Sequence, residues 1–244
     1  MKTNLFPNVK NLILIIVSVF FLSSCRFGLE DPYPLGQSNQ IVKEQIPLVN
    51  FERIEVNNAL NVYVKKGFNF SIVAEGDKLD LADLEAFVNN KKLVIKYKNF
   101  VKRRFEMNIF ITMPHLSEAN FSGASIAEIT NFNENHMAIR ASGASDIFID
   151  ADATNWDIEL SGASILEIHG LGRNLDLDAS GSSDFYGNKL LVDNIDLNVS
   201  GASNTWLFAY NEIIGRASGA SDIVYRGNPL IDIRLSGDSN VSRF

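Results

Sequence analysis

One phrase, Ser-Gly-x-Ser, recurs seven times in the C-terminal half of this 244-residue chain, starting at Ser122, Ser142, Ser161, Ser180, Ser200, Ser218 and Ser236. The spacings are 20, 19, 19, 20, 18 and 18 residues. A period this regular marks stacked coils, each burying its apolar face against the next. Aligned copies give clean columns. The residue before each phrase is Phe121, Ala141, Leu160, Ala179, Val199, Ala217 or Leu235, all apolar or small, and the residue before that is Asn120, Arg140, Glu159, Asp178, Asn198, Arg216 or Arg234, all polar. Period-two alternation means a strand with one buried face. After the phrase it resumes, with Ile147, Leu166, Phe185, Ile223 and Val241 expected to point inward. Each copy reads as strand, corner, strand, connection. The expected fold is all-β: a right-handed parallel β-helix of about 19-residue coils.

The corner needs its glycines. Gly123, Gly143, Gly162, Gly181, Gly201, Gly219 and Gly237 suit a bend with positive φ or a close approach to the neighbouring coil. The flanking serines, stacked at about 4.8 Å, are expected to form a hydroxyl ladder that satisfies corner backbone groups and one another. No base recurs beside them, so they are structural rather than nucleophilic.

Upstream, residues 1–24 carry Lys2 and Lys10, no acidic residue, and an apolar run over 12–22. This is a signal peptide, too short for a stable spanning helix. Its ending, Leu22-Ser23-Ser24-Cys25, resembles the bacterial lipobox. The resemblance implies cleavage before Cys25 and its acylation, hence export to the cell envelope as an outer-membrane lipoprotein anchored rather than spanning. Cys25 is the only cysteine, so the chain forms no internal disulfide. Loss of the leader's two lysines takes the net charge from −7 to −9, a poor balance for binding nucleic acid. Residues 25–40 form a Pro- and Gly-containing tether. Residues 41–115 form an N-terminal β region with one degenerate coil, in which Asn57-Asn58 stands where Ser-Gly stands later. Strands are expected at 68–74, 93–97 and 107–113, a helix or turn near 79–87, and inserted hairpins that make an irregular β cap. The basic residues of 91–104 read as a solvated face of that cap. The repeat β-helix proper is 116–244.

Taken together, the Cys25 ending, the stretch FERIEVNNALNVYVKKG (51–67), the bridge IFITMPHLSEANFSGAS (109–125) and the repeated SGAS phrases resemble the Bacteroidetes family described as "putative auto-transporter adhesin, head GIN domain". The similarity spans about residues 45–244. It implies a right-handed β-helix at the envelope or surface, and it carries no catalytic residues with it.

Three groups of outward residues are candidates for chemistry. Phe148, Tyr186 and Trp206 share one column with Glu128, Glu167 and Val224. With Asp146 and Asp184 beside them they form a candidate recognition strip for a glycan or a surface protein. Asp157, Asp176 and Asp196 share a second column, with Glu159 and Asp178 two residues along. That acidic patch is read as screened surface charge, with a weak divalent-cation site or a hydrolase pair as the alternatives. The strand face is expected to be flat, and Arg140, Arg216 and Arg234 to bracket the patch. His115, His136 and His169 fall at different phases, so no metal column is expected. No cofactor is expected. The expected function is a lipid-anchored binding or adhesion module and not an enzyme, with a carbohydrate-active enzyme or a passive structural lipoprotein as alternatives. The last coil, reaching Phe244 with no distinct cap, points to contact between copies.

Overall fold

The computed structural model describes residues 38, 40–99, 101, 103 and 105–244. The signal peptide, Cys25 and nearly all of the 25–40 tether lie outside the described residues. In chain order the elements are β1 (Ile41–Gln45), β2 (Arg53–Val56), β3 (Asn61–Lys66), β4 (Ser71–Asp77), α1 (Lys78–Asp83), β5 (Leu84–Asn89), β6 (Lys92–Tyr97) and β7 (Asn108–Met113). The repeat region follows as β8 (Glu118–Phe121), β9 (Ile126–Ala141), β10 (Asp146–Leu160), β11 (Ile165–Leu171), β12 (Asn174–Ala179), β13 (Asp184–Val199), β14 (Asn204–Ala217), β15 (Asp222–Gly227), β16 (Leu230–Leu235) and β17 (Asn240–Arg243).

From β8 onward every strand pairs in parallel with its counterpart one coil away. The chain is a parallel β-solenoid of about 19-residue coils, as the repeat requires. Its core is the inward set: Ile147, Leu166, Phe185 and Ile223 on one side, Ile139, Ile158, Leu177 and Leu197 on the other, all buried. Burying each such side chain stabilises the fold by about 1.5–3 kcal/mol before the entropy of ordering is subtracted.

All seven phrase glycines have φ between +71° and +86°. They are also pressed against the coil before: a Cβ on Gly162 would lie 2.5 Å from the Gly143 carbonyl oxygen. That oxygen accepts from the Ala163 amide at 2.7 Å, and the same bond repeats at each later corner. The serines satisfy corner backbone groups as expected, but not one another in a hydroxyl ladder. The second serine of each phrase instead donates its hydroxyl to the carbonyl of the first, 2.7–3.0 Å away in the same corner. A partner three residues away in a fixed bend is nearer than a hydroxyl one coil off.

The degenerate coil is real and sits within the stack. Asn58 has φ of +77°, Gly123 packs over it, and Ser122 Oγ donates to Asn57 Oδ1 at 2.6 Å. On their other side β2 and β3 pair in parallel with β6 and β7. A coil made later in the chain is therefore the outer one. The antiparallel strands β5 on β6, β4 on β7 and β1 on β4 close that end. Helix α1 is shorter than the expected 79–87, because Leu84, Ala86 and Val88 alternate toward the core as strand β5. Of the basic stretch, Lys102 and Arg104 lie outside the described residues, and four of the others are paired rather than simply solvated. Lys91, Lys92 and Lys96 meet Glu52, Glu55 and Glu85, while Arg103 binds Asp80 and Asp83 and lies 3.8 Å over the Tyr97 ring.

Candidate functional site

On the outward face after the corner, Tyr186 of β13 and Trp206 of β14 stand in register. Their rings stack 4.5 Å apart at 10°. Two residues earlier on the same face, Asn204 Nδ2 donates to Asp184 Oδ1 at 2.9 Å. Burial, then the charges of Asp184 and Glu167, push the Tyr186 phenol up, which keeps it a neutral donor. Phe148 shares the column but lies two coils away, with Glu167 between. It packs edge-on against His169, 5.1 Å away at 85°. His169 and Lys189 hold Glu167 at 2.7 and 3.2 Å, and these bonds keep its carboxyl below the usual range. The register therefore gathers Tyr186, Trp206 and Asp184 into one patch and sets Phe148 and Asp146 apart from it. A separate aromatic pair, Tyr63 on Phe110 at 5.1 Å, belongs to the cap end.

The face before the corner carries the acidic patch, in which Asp157, Asp176 and Asp196 share one register position and Glu159 and Asp178 the next. Arg140 enters this patch rather than bracketing it, reaching Asp157 with Nη2 and Glu159 with Nε, both at 3.2 Å. Asp178 accepts from Asn198 at 2.8 Å. Asp176 keeps the crowding: burial first, then Asp196, Asp178, Asp157 and Glu159, push its carboxyl up. Nor is the face flat. Asn155, Asn174 and Asn194 form an amide ladder, with bonds of 2.8 and 3.0 Å, two residues along the same strand face from the Asp157–Asp176–Asp196 column, and both columns line a concavity of ≈ 430 Å³. Recurrence of Asn at spacings of 19 and 20 was the available signal for that ladder. A second groove, ≈ 530 Å³, runs beside the corner, where Arg140, Glu159 and Asp178 adjoin Ser142, Ser161 and Ser180.

Among the described residues no group of three or more His, Cys, Asp or Glu side chains is placed to hold a metal ion. His115 lies by Glu134 and His169 by Glu167, on different coils. No helix of the described residues is long and apolar enough to cross a membrane.

The same fold is found in solved structures described as a "putative adhesin" from Bacteroides fragilis (17% identity, TM-score 0.81, covering 85% of this chain and 99% of that one) and a "putative adhesin" from Parabacteroides merdae (12%, 0.72, 85% and 98%). A third, described as a "putative lipid binding protein" from Parabacteroides distasonis, aligns at 15% identity and a TM-score of 0.72 over 85% and 98%. No curated protein matches the chain. The profile of one family matches residues 50–229, from just before β2 to just before β16. On that match, which covers most of the chain, the protein belongs to the family described as "Putative auto-transporter adhesin, head GIN domain".

Proposed function

We propose that this chain is exported, acylated on Cys25 and held at the outer membrane, where its solenoid acts as a glycan-binding module. Its recognition patch centres on Tyr186, Trp206, Asp184 and Asn204. Family membership supports an adhesion-like role at the cell surface or envelope, and Leu22-Ser23-Ser24-Cys25 supports the anchor. The observation that carries the binding reading is the stacked Tyr186–Trp206 pair beside the 2.9 Å Asn204–Asp184 bond. Two rigid aromatic side chains offer large contact area at little entropic cost, and the fixed carboxylate and amide add direction, a combination suited to a sugar. Phe148 and Asp146, two coils or roughly 10 Å away by strand spacing, extend the face toward a neighbouring sugar unit.

A glycan array probed with residues 38–244, with calcium and with chelator, tests this. The expected result is binding without turnover that falls at least tenfold in Tyr186→Ala/Trp206→Ala at an unchanged melting temperature. Hits that the double variant retains, or an array with none, overturn the glycan reading. A second reading, a polysaccharide hydrolase, has one observation behind it: the Asp176 carboxyl, lining the ≈ 430 Å³ groove, is shifted upward, the direction a general acid needs. Product release from an array hit, abolished in Asp176→Asn, would establish it.

A further inference from the structure

We infer that the sugar recognised by this chain bears a carboxylate, and that it sits on the free face of Trp206, above Val224, with that carboxylate on Arg226. The inference rests on the glycan reading above and gives it a class of sugar and a seat.

The stacked pair fixes where a sugar can lie. Tyr186 and Trp206 stand one coil apart, with rings 4.5 Å apart at 10°. Rings stacked along the coil axis turn only their edges outward, so each has one face left. That of Tyr186 looks toward its register neighbour Glu167, which is tied to His169 and Lys189 at 2.7 and 3.2 Å. That of Trp206 looks toward β15, where the register neighbour is Val224 and the one beyond is Ser242. Both side chains are short. Coils repeat at about 4.8 Å, close to the separation of the two rings, so a sugar ring laid on Trp206 stands over Val224 as the next member of the stack. A pyranose suits that place, because its axial C–H bonds carry partial positive charge and the face of an indole is negative.

The groups at the two ends of the seat differ in sign. On β15 the outward residues on either side of Val224 are Asp222 and Arg226, each roughly 7 Å away along the strand. Arg226 is exposed and, among the described residues, takes part in no ion pair. Its guanidinium rests over the Phe244 ring, 4.3 Å from the centroid. An arginine held by its flat face keeps its N–H edge for a planar carboxylate, which it binds through two parallel bonds. Asp222, also exposed, accepts sugar hydroxyls and repels a second anion. A carboxylate-bearing sugar therefore enters one way round, hydroxyls toward Asp222 and carboxylate toward Arg226. The Tyr186 flank offers no equivalent, since Lys189 there is already bonded to Glu167.

The test places carboxylate-bearing glycans beside their methyl esters, neutral glycans and sulfated glycans on one array probed with the full chain. The acids are expected to bind at least tenfold more tightly than their esters, and Arg226→Gln to remove that preference. Val224→Phe lays a third ring on Trp206, in a column that already holds Phe148, Tyr186 and Trp206. It is expected to lower binding at least tenfold at an unchanged melting temperature. Should that variant prove unstable, Arg226→Gln, at an exposed position, still decides the matter. Equal binding of acid and ester, hits confined to neutral or sulfated glycans, or Arg226→Gln without effect would overturn the carboxylate class. Full binding by a stable Val224→Phe overturns the seat. In each of these cases, loss of the hits in Tyr186→Ala/Trp206→Ala leaves the glycan patch standing, whereas an array with no hits overturns the patch and this inference together.

Discussion

At Gly162 two constraints act together. Its φ is +74° and a Cβ would lie 2.5 Å from the Gly143 oxygen. A left-handed conformation costs an L residue about 1–2 kcal/mol. The clash adds to that, because a backbone oxygen within a stacked coil cannot rotate aside and must break its 2.7 Å bond from Ala163 N to make room. Gly162→Ala should therefore lose about 2–4 kcal/mol in urea denaturation, within the range of backbone effects. Ala163→Ser should be near neutral, since Ser182 holds the same place one coil on. A loss below about 0.5 kcal/mol for Gly162→Ala would mean that the corner relaxes freely. The glycines were legible because only one residue type fits the bend, and Asn58 was legible as the one substitute that tolerates it. The serine partners were not. A hydroxyl can satisfy a carbonyl in its own turn or one in the next coil, and sequence carries no preference between them.

Columns of outward residues are an element-level property, and the repeat read them correctly: Asp157, Asp176 and Asp196 do share a register position. What a column does not encode is the diagonal reach of a long side chain. Arg140 stands in the column of Glu159 and still bonds Asp157 of the neighbouring one, so the groove and its charge balance emerge only in three dimensions. Strand β5 was hidden for a related reason, since its pairing with β6 is antiparallel and lies outside the repeat. The acidic face has a pH signature. The Asp176 carboxyl is raised by burial and by its acidic neighbours. Between its ordinary value and the raised one, the folded chain holds a proton that the unfolded chain has released, so this group's contribution to stability falls as pH rises through that window. At neutral pH the penalty is fully present. Asp176→Asn should thus raise the melting temperature at pH 7 and leave it nearly unchanged at about pH 3.5. The gain should stay under about 1 kcal/mol because the side chain is only partly desolvated and solvent screens most of its charge. Equal gains at both pH values would assign the effect to the amide and not to the charge.

As a whole molecule the solenoid touches itself only between neighbouring coils, and its stability should be a sum over coils and interfaces. The first two levels depart from that simplicity. The coil of β6 and β7 lies outside that of β2 and β3, an order invisible in the sequence because it depends on pairings between segments some 40 residues apart. That outer coil and its antiparallel strands cover the Ile54, Val56, Val62 and Val64 side chains, all buried. Deleting residues 84–113 should expose them and leave an aggregating chain. Deleting residues 161–179 is different. Leu160 then precedes Ser180 as Ala179 did, every column keeps its phase, and Ile158 meets Leu197 in the core. One electrostatic cost appears, Asp146 facing Asp184 where Ile165 stood between them. The shortened chain should fold, with the strand signature intact by circular dichroism and a urea m-value lower by roughly one tenth, in proportion to the surface removed. An internal deletion that fails to fold, while Gly162→Ala in the full chain still does, would show that the coils are not interchangeable units and that their order along the axis is itself part of the fold.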